Sequence, residues 1–127
     1  MQKLRDVELH MARDSDQARV WLSGLHDYGS LSATDKVRFS LLAHMALKAN
    51  ESFFLAHRGG RMSQELYKLE ALRQAGFLRY PGFQAVWLLR KPYFHEAFQR
   101  WVDDTIAAAM TAATVPRHYQ EEVVSTR

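Results

Sequence analysis

Apolar residues recur every three or four positions along most of the chain, which is the spacing of one face of an α-helix. No segment alternates apolar and polar residues over five positions with turn residues at both ends, as a half-buried strand would. The pattern therefore predicts an all-α fold, a compact bundle of about five to six helices around a long central helix. We place the helices at about 2–13, 16–26, 33–57, 64–74, 81–90 and 93–111.

The predicted central helix at 33–57 contains no glycine or proline and is the longest element. Projected as a helix, it carries one dense apolar face and further apolar residues on the opposite side. A helix that is apolar nearly all round is buried by its neighbours or by a partner. The dense face consists of Phe39, Leu42, Met45, Ala46, Ala49, Phe53 and Ala56, and the other side holds Val37, Leu41, Leu47, Phe54 and Leu55.

Short polar residues, glycine and proline mark the helix ends. Ser32 followed by Asp35 resembles a capping box, in which each side chain accepts from a free amide of the first turn. Gly59-Gly60 ends the central helix, with one of the two glycines in the left-handed conformation. Ser63 is expected to cap the next helix, and Pro81 begins the one after it, since proline is tolerated in a first turn.

Each later helix has a set of apolar residues that we expect to face the core. The chain after 113 has few apolar residues and contains Pro116, so we expect a single helical domain over 1–113 and a C-terminal tail or arm over 114–127. The inward sets are Leu66, Leu69 and Leu72; Phe83, Val86 and Trp87 with Leu88 or Leu89; and Phe94, Phe98, Trp101, Val102 and Ile106.

Composition narrows the class of protein. The 127 residues are 47% hydrophobic and 12% aromatic, enough to build a core, which excludes a generally disordered chain. The sequence has no cysteine, which excludes disulfides and thiolate sites and fits a reducing compartment. No apolar run approaches the roughly 18 residues that span a bilayer. We expect a cytoplasmic protein with no membrane insertion within this chain.

The net charge of +3 is unevenly distributed. Basic groups are in excess over residues 30–91, whereas both ends of the chain are acidic. One interpretation is internal complementarity, with the acidic terminal segments packed near the basic centre. The other is a basic face for an anionic partner such as a nucleic acid. The lack of a dense lysine or arginine run favours the first.

The sequence contains none of the motifs HExxH, GxSxG, GxxxxGK[ST] and GxGxxG. We therefore expect no catalytic residue, no metal and no cofactor, and a non-enzyme is favoured. His44, Lys48 and Glu51 share one stripe of the central helix, but the lysine repels a divalent cation. We interpret this stripe as solvated, with a Lys48–Glu51 ion pair. Asp103 is expected on the solvent side of the last helix.

Short motifs follow one another between 16 and 109: Leu31-Ser32 to Arg38-Phe39, Asn50-Glu51 with Phe54, Gly59-Gly60, Pro81-Gly82 to Trp87, and Phe98 to Val102-Asp103. Their order resembles a group of uncharacterised bacterial all-helical domains of unknown function. The resemblance implies the helical architecture and no mechanism. Such sequences often carry a membrane-spanning segment before a cytosolic domain. The tryptophan common before their glutamate is missing here.

That resemblance directs attention to Glu51. On the helical projection its carboxylate lies among apolar side chains, with Arg58 two turns further on. A carboxylate in such surroundings needs a cation, which Arg58 or an arginine from 79–90 could supply. The favoured interpretation is a tie between the central helix and the helix at 81–90, and the alternative is the polar anchor of a binding groove.

From these observations we expect a non-enzymatic helical interaction or regulatory module that binds a protein partner or itself, as a homodimer. One alternative is a nucleic-acid-binding protein that uses the basic central region. A lesser alternative is a small-ligand sensor or hydrolase pocket. The candidate interaction surface consists of His44, Lys48, Glu51, Phe54, Arg58 and Trp87.

Overall fold

The computed structural model describes residues 15–111. Within this range it contains five α-helices and no strand, which confirms the predicted all-α fold. Short 3₁₀ helices follow α1 and α4, at Tyr28–Ser30 and Lys91–Tyr93. The predicted helix at 2–13, the boundary at 113 and the tail at 114–127 lie outside the described residues. The helices are α1 (Ser15–Asp27), α2 (Ala33–Arg58), α3 (Gln64–Phe77), α4 (Pro81–Arg90) and α5 (Glu96–Thr111).

The N-terminal end of α2 is capped as predicted, but only in part as a capping box. The Ser32 side chain accepts a hydrogen bond from the backbone N–H of Asp35 at 3.2 Å. The Asp35 carboxylate turns away from the helix end and accepts hydrogen bonds from Arg19 and Arg38. It thereby ties the first turn of α2 to α1.

The C-terminal end of α2 is a Schellman turn, with Gly60 as the predicted left-handed glycine at φ +71°. The N–H of Gly60 donates to the carbonyl of His57, and the N–H of Arg61 donates to the carbonyl of Ala56. The turn reverses the chain within a few residues. Ser63 then caps α3 by accepting from the N–H of Leu66, as predicted.

Helices α1, α2 and α4 meet at a crossing built on two glycines. A Cβ atom at Gly82 would overlap the backbone carbonyl of Gly24, and a Cβ atom at Gly24 would overlap the ring of Phe39. Both glycines are buried, so their lack of a side chain allows the close approach. The crossing places Trp21 with its ring centroid 5.3 Å from that of Phe39 and 6.0 Å from that of Phe83.

The predicted inward faces of α4 and α5 are confirmed in their main members. Phe83, Val86 and Trp87 are fully buried, and Phe94, Phe98 and Val102 are buried around them. Trp101 and Ile106 are partly buried against this cluster. The expectation for Leu88 or Leu89 is wrong, because both project from the side of α4 opposite to Phe83 and Trp87 and are exposed.

Helix α2 is buried on its dense face but not all round. Leu47 is fully buried, whereas Val37 and Leu41 on the first turns are exposed. Met45, expected in the dense face, is also exposed, because it lies at the margin of the buried sector. Thus α2 is the uninterrupted central helix that the pattern predicted, with one solvent-facing strip in the described structure.

Helix α3 is rotated relative to the prediction. Leu66, Leu69 and Leu72 were expected to face the core, but they are 40%, 62% and 73% exposed. The buried residue of this helix is Gln74. This orientation is set near the beginning of α3, where the Tyr67 ring stacks on the His57 ring of α2 with the ring centroids 3.8 Å apart. With Tyr67 held against α2, the leucines point to the opposite side.

Candidate functional site

The stripe of His44, Lys48 and Glu51 on α2 holds the segment 93–95 that joins α4 to α5. Nζ of Lys48 donates to the carbonyl of Tyr93 at 2.6 Å and to Oε1 of Glu51 at 3.3 Å. Oε2 of Glu51 accepts from the backbone N–H of His95 at 2.7 Å. The predicted Lys48–Glu51 pair is therefore present. The stripe is not a solvated one, because both side chains are engaged by the 93–95 backbone.

The predicted arginine partner of Glu51 is wrong. Its carboxylate bonds to Lys48 and to the start of α5, so the tie joins α2 to α5 and not to the 79–90 region. The backbone N–H that binds Glu51 belongs to His95, just before α5. No sequence-spacing rule relates these two residues.

His44 lies on the same stripe, against Phe94, with ring centroids 5.5 Å apart. Its Nδ1 is buried without a hydrogen-bond partner within the described residues. Burial lowers the pKa of His44, the positive charges of Arg90 and Lys48 lower it further, and Glu51 opposes them. Lys48 also places its ammonium 4.2 Å from the centroid of the Phe94 ring.

The remaining three candidate residues differ from one another in burial. Trp87 is 0% exposed and donates from Nε1 to Asp103 at 2.9 Å, so it belongs to the core and not to a surface. Phe54 is partly buried, with the Arg58 guanidinium 5.8 Å from its ring centroid. Because Trp87 is in the core, the six candidate residues do not all belong to one exposed surface.

Asp103 has a 42% exposed side chain, in line with the solvent-side position that we expected, but it also bonds two residues of the chain. It accepts from Trp87 and pairs with Lys91 at 2.6 Å. Burial alone would raise its pKa, but the hydrogen bonds from Lys91 and Trp87 outweigh burial and lower it. Together with an Arg38–Asp16 pair at 2.8 Å, it matches the interpretation of internal charge complementarity, since each pair joins the basic middle to an acidic end.

Two features of α3 were not found from the sequence. Its outer side carries the leucine face, which we define as Leu66, Leu69 and Leu72 with Glu65 and Arg73 at its two ends. Spacing revealed the three leucines but not the direction in which they point. Among the described residues, α3 packs mainly against α2, so its outer side is left uncovered.

The inner side of α3 carries the second feature, a cleft against α2 and α5 that we call the amide cleft. Asn50 and Gln74 are 4% and 3% exposed and line it together with Glu70. Aromatic side chains form its walls: Phe53, Phe54, Tyr67, Phe98 and Trp101. Asn50 was visible in the sequence as a polar residue between apolar positions of α2, but its proximity to Gln74 was not.

Several polar atoms around the amide cleft lack hydrogen bonds within the described residues. Oδ1 of Asn50, Oε1 and Nε2 of Gln74, and Oε2 of Glu70 are buried without a hydrogen bond to any part of residues 15–111. Oε2 of Glu70 forms an ion pair with the Arg73 guanidinium at 3.8 Å, which is longer than a hydrogen bond. Burial raises the pKa of the neighbouring Tyr67. The site is therefore a shielded group of amide and carboxylate atoms enclosed by aromatic rings.

No group of three histidines or acids within residues 15–111 could hold a metal ion. None of the helices between these limits combines the length and the apolar character needed to cross a membrane.

Neither the protein-family models, nor the curated proteins, nor the solved structures contain a match to this chain.

Proposed function

We propose that this protein is a non-enzymatic helical interaction module that pairs with a second copy of itself through the leucine face of α3. The observation that carries the proposal is the inverted orientation of this helix, with three leucines outside and a glutamine inside. A contiguous exposed apolar face of this kind is typical of an interaction surface. We expect it to act in the cytoplasm.

The charges at the two ends of the leucine face favour a second copy as the partner. A two-fold axis through Leu69 would run two α3 helices antiparallel, so that Leu66 of one copy meets Leu72 of the other. The same axis brings Glu65 of each copy next to Arg73 of the other. The face is thus complementary to itself in both its apolar and its charged positions.

Contacts elsewhere support this surface over the one predicted from sequence. Lys48 and Glu51 are occupied by the 93–95 segment, and Trp87 is in the core. Two basic groups of the central region, Arg38 and Lys91, are paired with acids of the same chain. The three leucines of the face, by contrast, are left exposed by the described helices.

Light scattering after size exclusion tests the proposal on the full 127-residue chain. We expect a mass near twice that of the chain at high concentration, with dissociation in the micromolar range. Leu69→Glu should give a monomer, because it places two carboxylates against each other on the axis. Leu88→Glu is the matched control, since Leu88 is 75% exposed on α4, away from the face.

A monomer up to millimolar concentration would refute the self-pairing. So would a dimer that survives Leu69→Glu, because its interface would then lie elsewhere.

A further inference from the structure

The outer side of α4 carries only apolar residues, at the three- and four-residue spacing of one helix stripe, and the stripe continues into the 3₁₀ helix that follows. It lies opposite to the buried Phe83 and Trp87. Leu88 and Leu89 project from it and are 75% and 61% exposed. An exposed apolar stripe of this kind marks an interaction surface. We call it the α4 ridge and define it as Pro81, Ala85, Leu88, Leu89 and Pro92.

The charged side chains next to the α4 ridge in the sequence are all basic. No aspartate or glutamate occurs between 71 and 95, whereas Arg79 precedes the ridge and Arg90 and Lys91 lie at its C-terminal end. Lys91 is neutralised by its pair with Asp103. Arg90 forms no ion pair within residues 15–111, and its positive charge is felt by a neighbouring histidine of α2. The ridge therefore favours a partner that is anionic as well as apolar.

A second copy of the chain does not suit the α4 ridge as it suits the leucine face. The leucine face has an acid at one end and an arginine at the other, so it is complementary to itself. Two α4 ridges in antiparallel contact would bring Arg79 of one copy towards Arg90 of the other, with no acid of the ridge to compensate them. Like charges placed together in this way oppose association. The partner of the ridge is therefore a different kind of molecule.

We propose that the α4 ridge docks onto the surface of a bilayer that contains anionic lipids. Such a surface has negative headgroups above acyl chains, which matches an apolar ridge with basic ends. Leu88 and Leu89 enter the boundary between headgroups and acyl chains. The long side chains of Arg79 and Arg90 reach the headgroup phosphates while their apolar stems stay along the ridge.

The shape of the α4 ridge favours a bilayer over a protein. Two leucines that project from a convex helix surface would require a protein partner with a groove of matching shape and acids along its edges. Acyl chains pack around a projecting side chain without a preformed groove. The helix lies on the bilayer and does not cross it, because α4 has 10 residues and a span needs about 20.

Vesicle flotation of the full 127-residue chain tests the proposal. Vesicles of phosphatidylcholine with about one third phosphatidylserine provide the anionic surface, and phosphatidylcholine alone provides the neutral one. We expect the anionic vesicles to be bound at least about tenfold more tightly than the neutral ones. Raising the salt concentration from about 0.05 M to about 0.5 M should weaken that binding, because salt screens the headgroup charges.

Leu88→Ser combined with Leu89→Ser removes the apolar part of the ridge. This ridge variant should bind the anionic vesicles at least about tenfold more weakly than the parent, and it should fold normally because both leucines are exposed. Val37→Ser combined with Leu41→Ser is the matched control. It removes two apolar side chains that are 59% and 52% exposed on α2, and it should bind the vesicles as the parent does.

Arg90→Gln tests the charge at the end of the ridge. It should weaken binding to the anionic vesicles about threefold to fivefold and leave binding to the neutral vesicles unchanged. An equal effect on both kinds of vesicle would contradict the proposed contact between Arg90 and the headgroups.

Failure to bind the anionic vesicles at low salt would overturn the proposal and point to an acidic protein partner instead. Equal losses in the ridge variant and in its control would also overturn it. If Leu88→Glu, the control of the pairing experiment, gave a monomer, a second copy would cover the ridge and the bilayer proposal would be wrong. In the Leu69→Glu chain the ridge substitutions should again weaken vesicle binding, so the ridge and the leucine face can fail independently.

Discussion

Where α4 meets α5, the buried indole N–H of Trp87 has a partner, whereas the buried amide atoms where α3 lies on α2 have none among the described residues. Trp87 donates to Asp103, and Asp103 also pairs with Lys91. Gln74 and Asn50, by contrast, are buried with free amide atoms, while the leucines of α3 face outward. The first region is stabilised by these contacts. The second leaves buried amide atoms without hydrogen bonds among the described residues, which costs stability in the isolated chain.

The glycine crossing gives the strongest test of the well-packed region. Gly82→Ala should lower the free energy of unfolding by about 3–5 kcal/mol, because its methyl group would overlap the carbonyl of Gly24 and force the two backbones apart. Chemical denaturation followed by circular dichroism measures the loss. Gly29→Ala is the matched control, since its nearest neighbour would be the Asp27 side chain at 3.9 Å, and it should change stability by less than about 0.5 kcal/mol. Similar losses for both variants would show that the crossing is not tight.

Trp87→Phe tests the same region through its polar partner. It leaves Asp103 without the indole N–H and opens space in the core, so we expect a loss of about 2–4 kcal/mol in the free energy of unfolding. Trp101→Phe is the comparison, because Trp101 is only partly buried, beside the amide cleft, and should lose less than half as much. If the two losses were equal, the contrast between the regions would disappear.

The parts of the fold that the sequence predicts are those that local chemistry decides. Ser32, Ser63 and Gly60 act within one turn of their own positions, and each does what its residue type indicates. The apolar periodicity of α4 correctly predicts that Phe83 and Trp87 are buried, because neighbouring helices cover that side of α4. The caps act on residues close in sequence. The buried face of α4 needs only some apolar neighbour, whichever helix supplies it.

The candidate site depends instead on distant partners. Lys48 pairs with Glu51 as the three-residue spacing indicates, but the Tyr93 carbonyl that holds Lys48 is 45 residues away. Likewise, periodicity locates the leucines of α3 but leaves open which way they face. The stacking of Tyr67 on His57 decides that direction, and no local rule predicts it.

Gln74→Leu should raise the free energy of unfolding, whereas Gly82→Ala and Trp87→Phe lower it. Replacing a buried, unpaired amide by an apolar side chain of similar size removes a desolvation cost, so the free energy of unfolding should rise by about 1 kcal/mol in the absence of ligand. Thermal and urea unfolding measure the gain. Gln84→Leu is the matched control, because Gln84 donates to the carbonyl of Leu78 at 2.7 Å and should lose stability. A destabilised Gln74→Leu variant would mean that its amide is satisfied in solution.

The smallest expected effect is a pH dependence at His44, the one residue of the α2 stripe whose buried nitrogen lacks a partner in the described structure. Burial lowers the pKa of His44 below its ordinary 6.5, so the unfolded chain takes up this proton more readily than the folded one. The stability that neutral His44 provides is complete above pH 6.5 and is lost as the pH falls below it. Urea unfolding between pH 7.5 and pH 5 should show a decline in the free energy of unfolding, at roughly constant denaturant dependence.

His44→Phe isolates this contribution, since it keeps a ring against Phe94 and removes the titrating group. The other histidines are common to both proteins, so the difference between their pH profiles reports on His44 alone. Asp103 does not interfere, because its lowered pKa confines its effect to pH values below its ordinary 3.8. We expect the free energy of unfolding of His44→Phe to vary less with pH than that of the parent. Its advantage over the parent should be largest at the acidic end of the range. Parallel profiles would show that His44 is as easily protonated in the fold as in the unfolded chain, and the stripe would then be more open to water than its contacts with 93–95 imply.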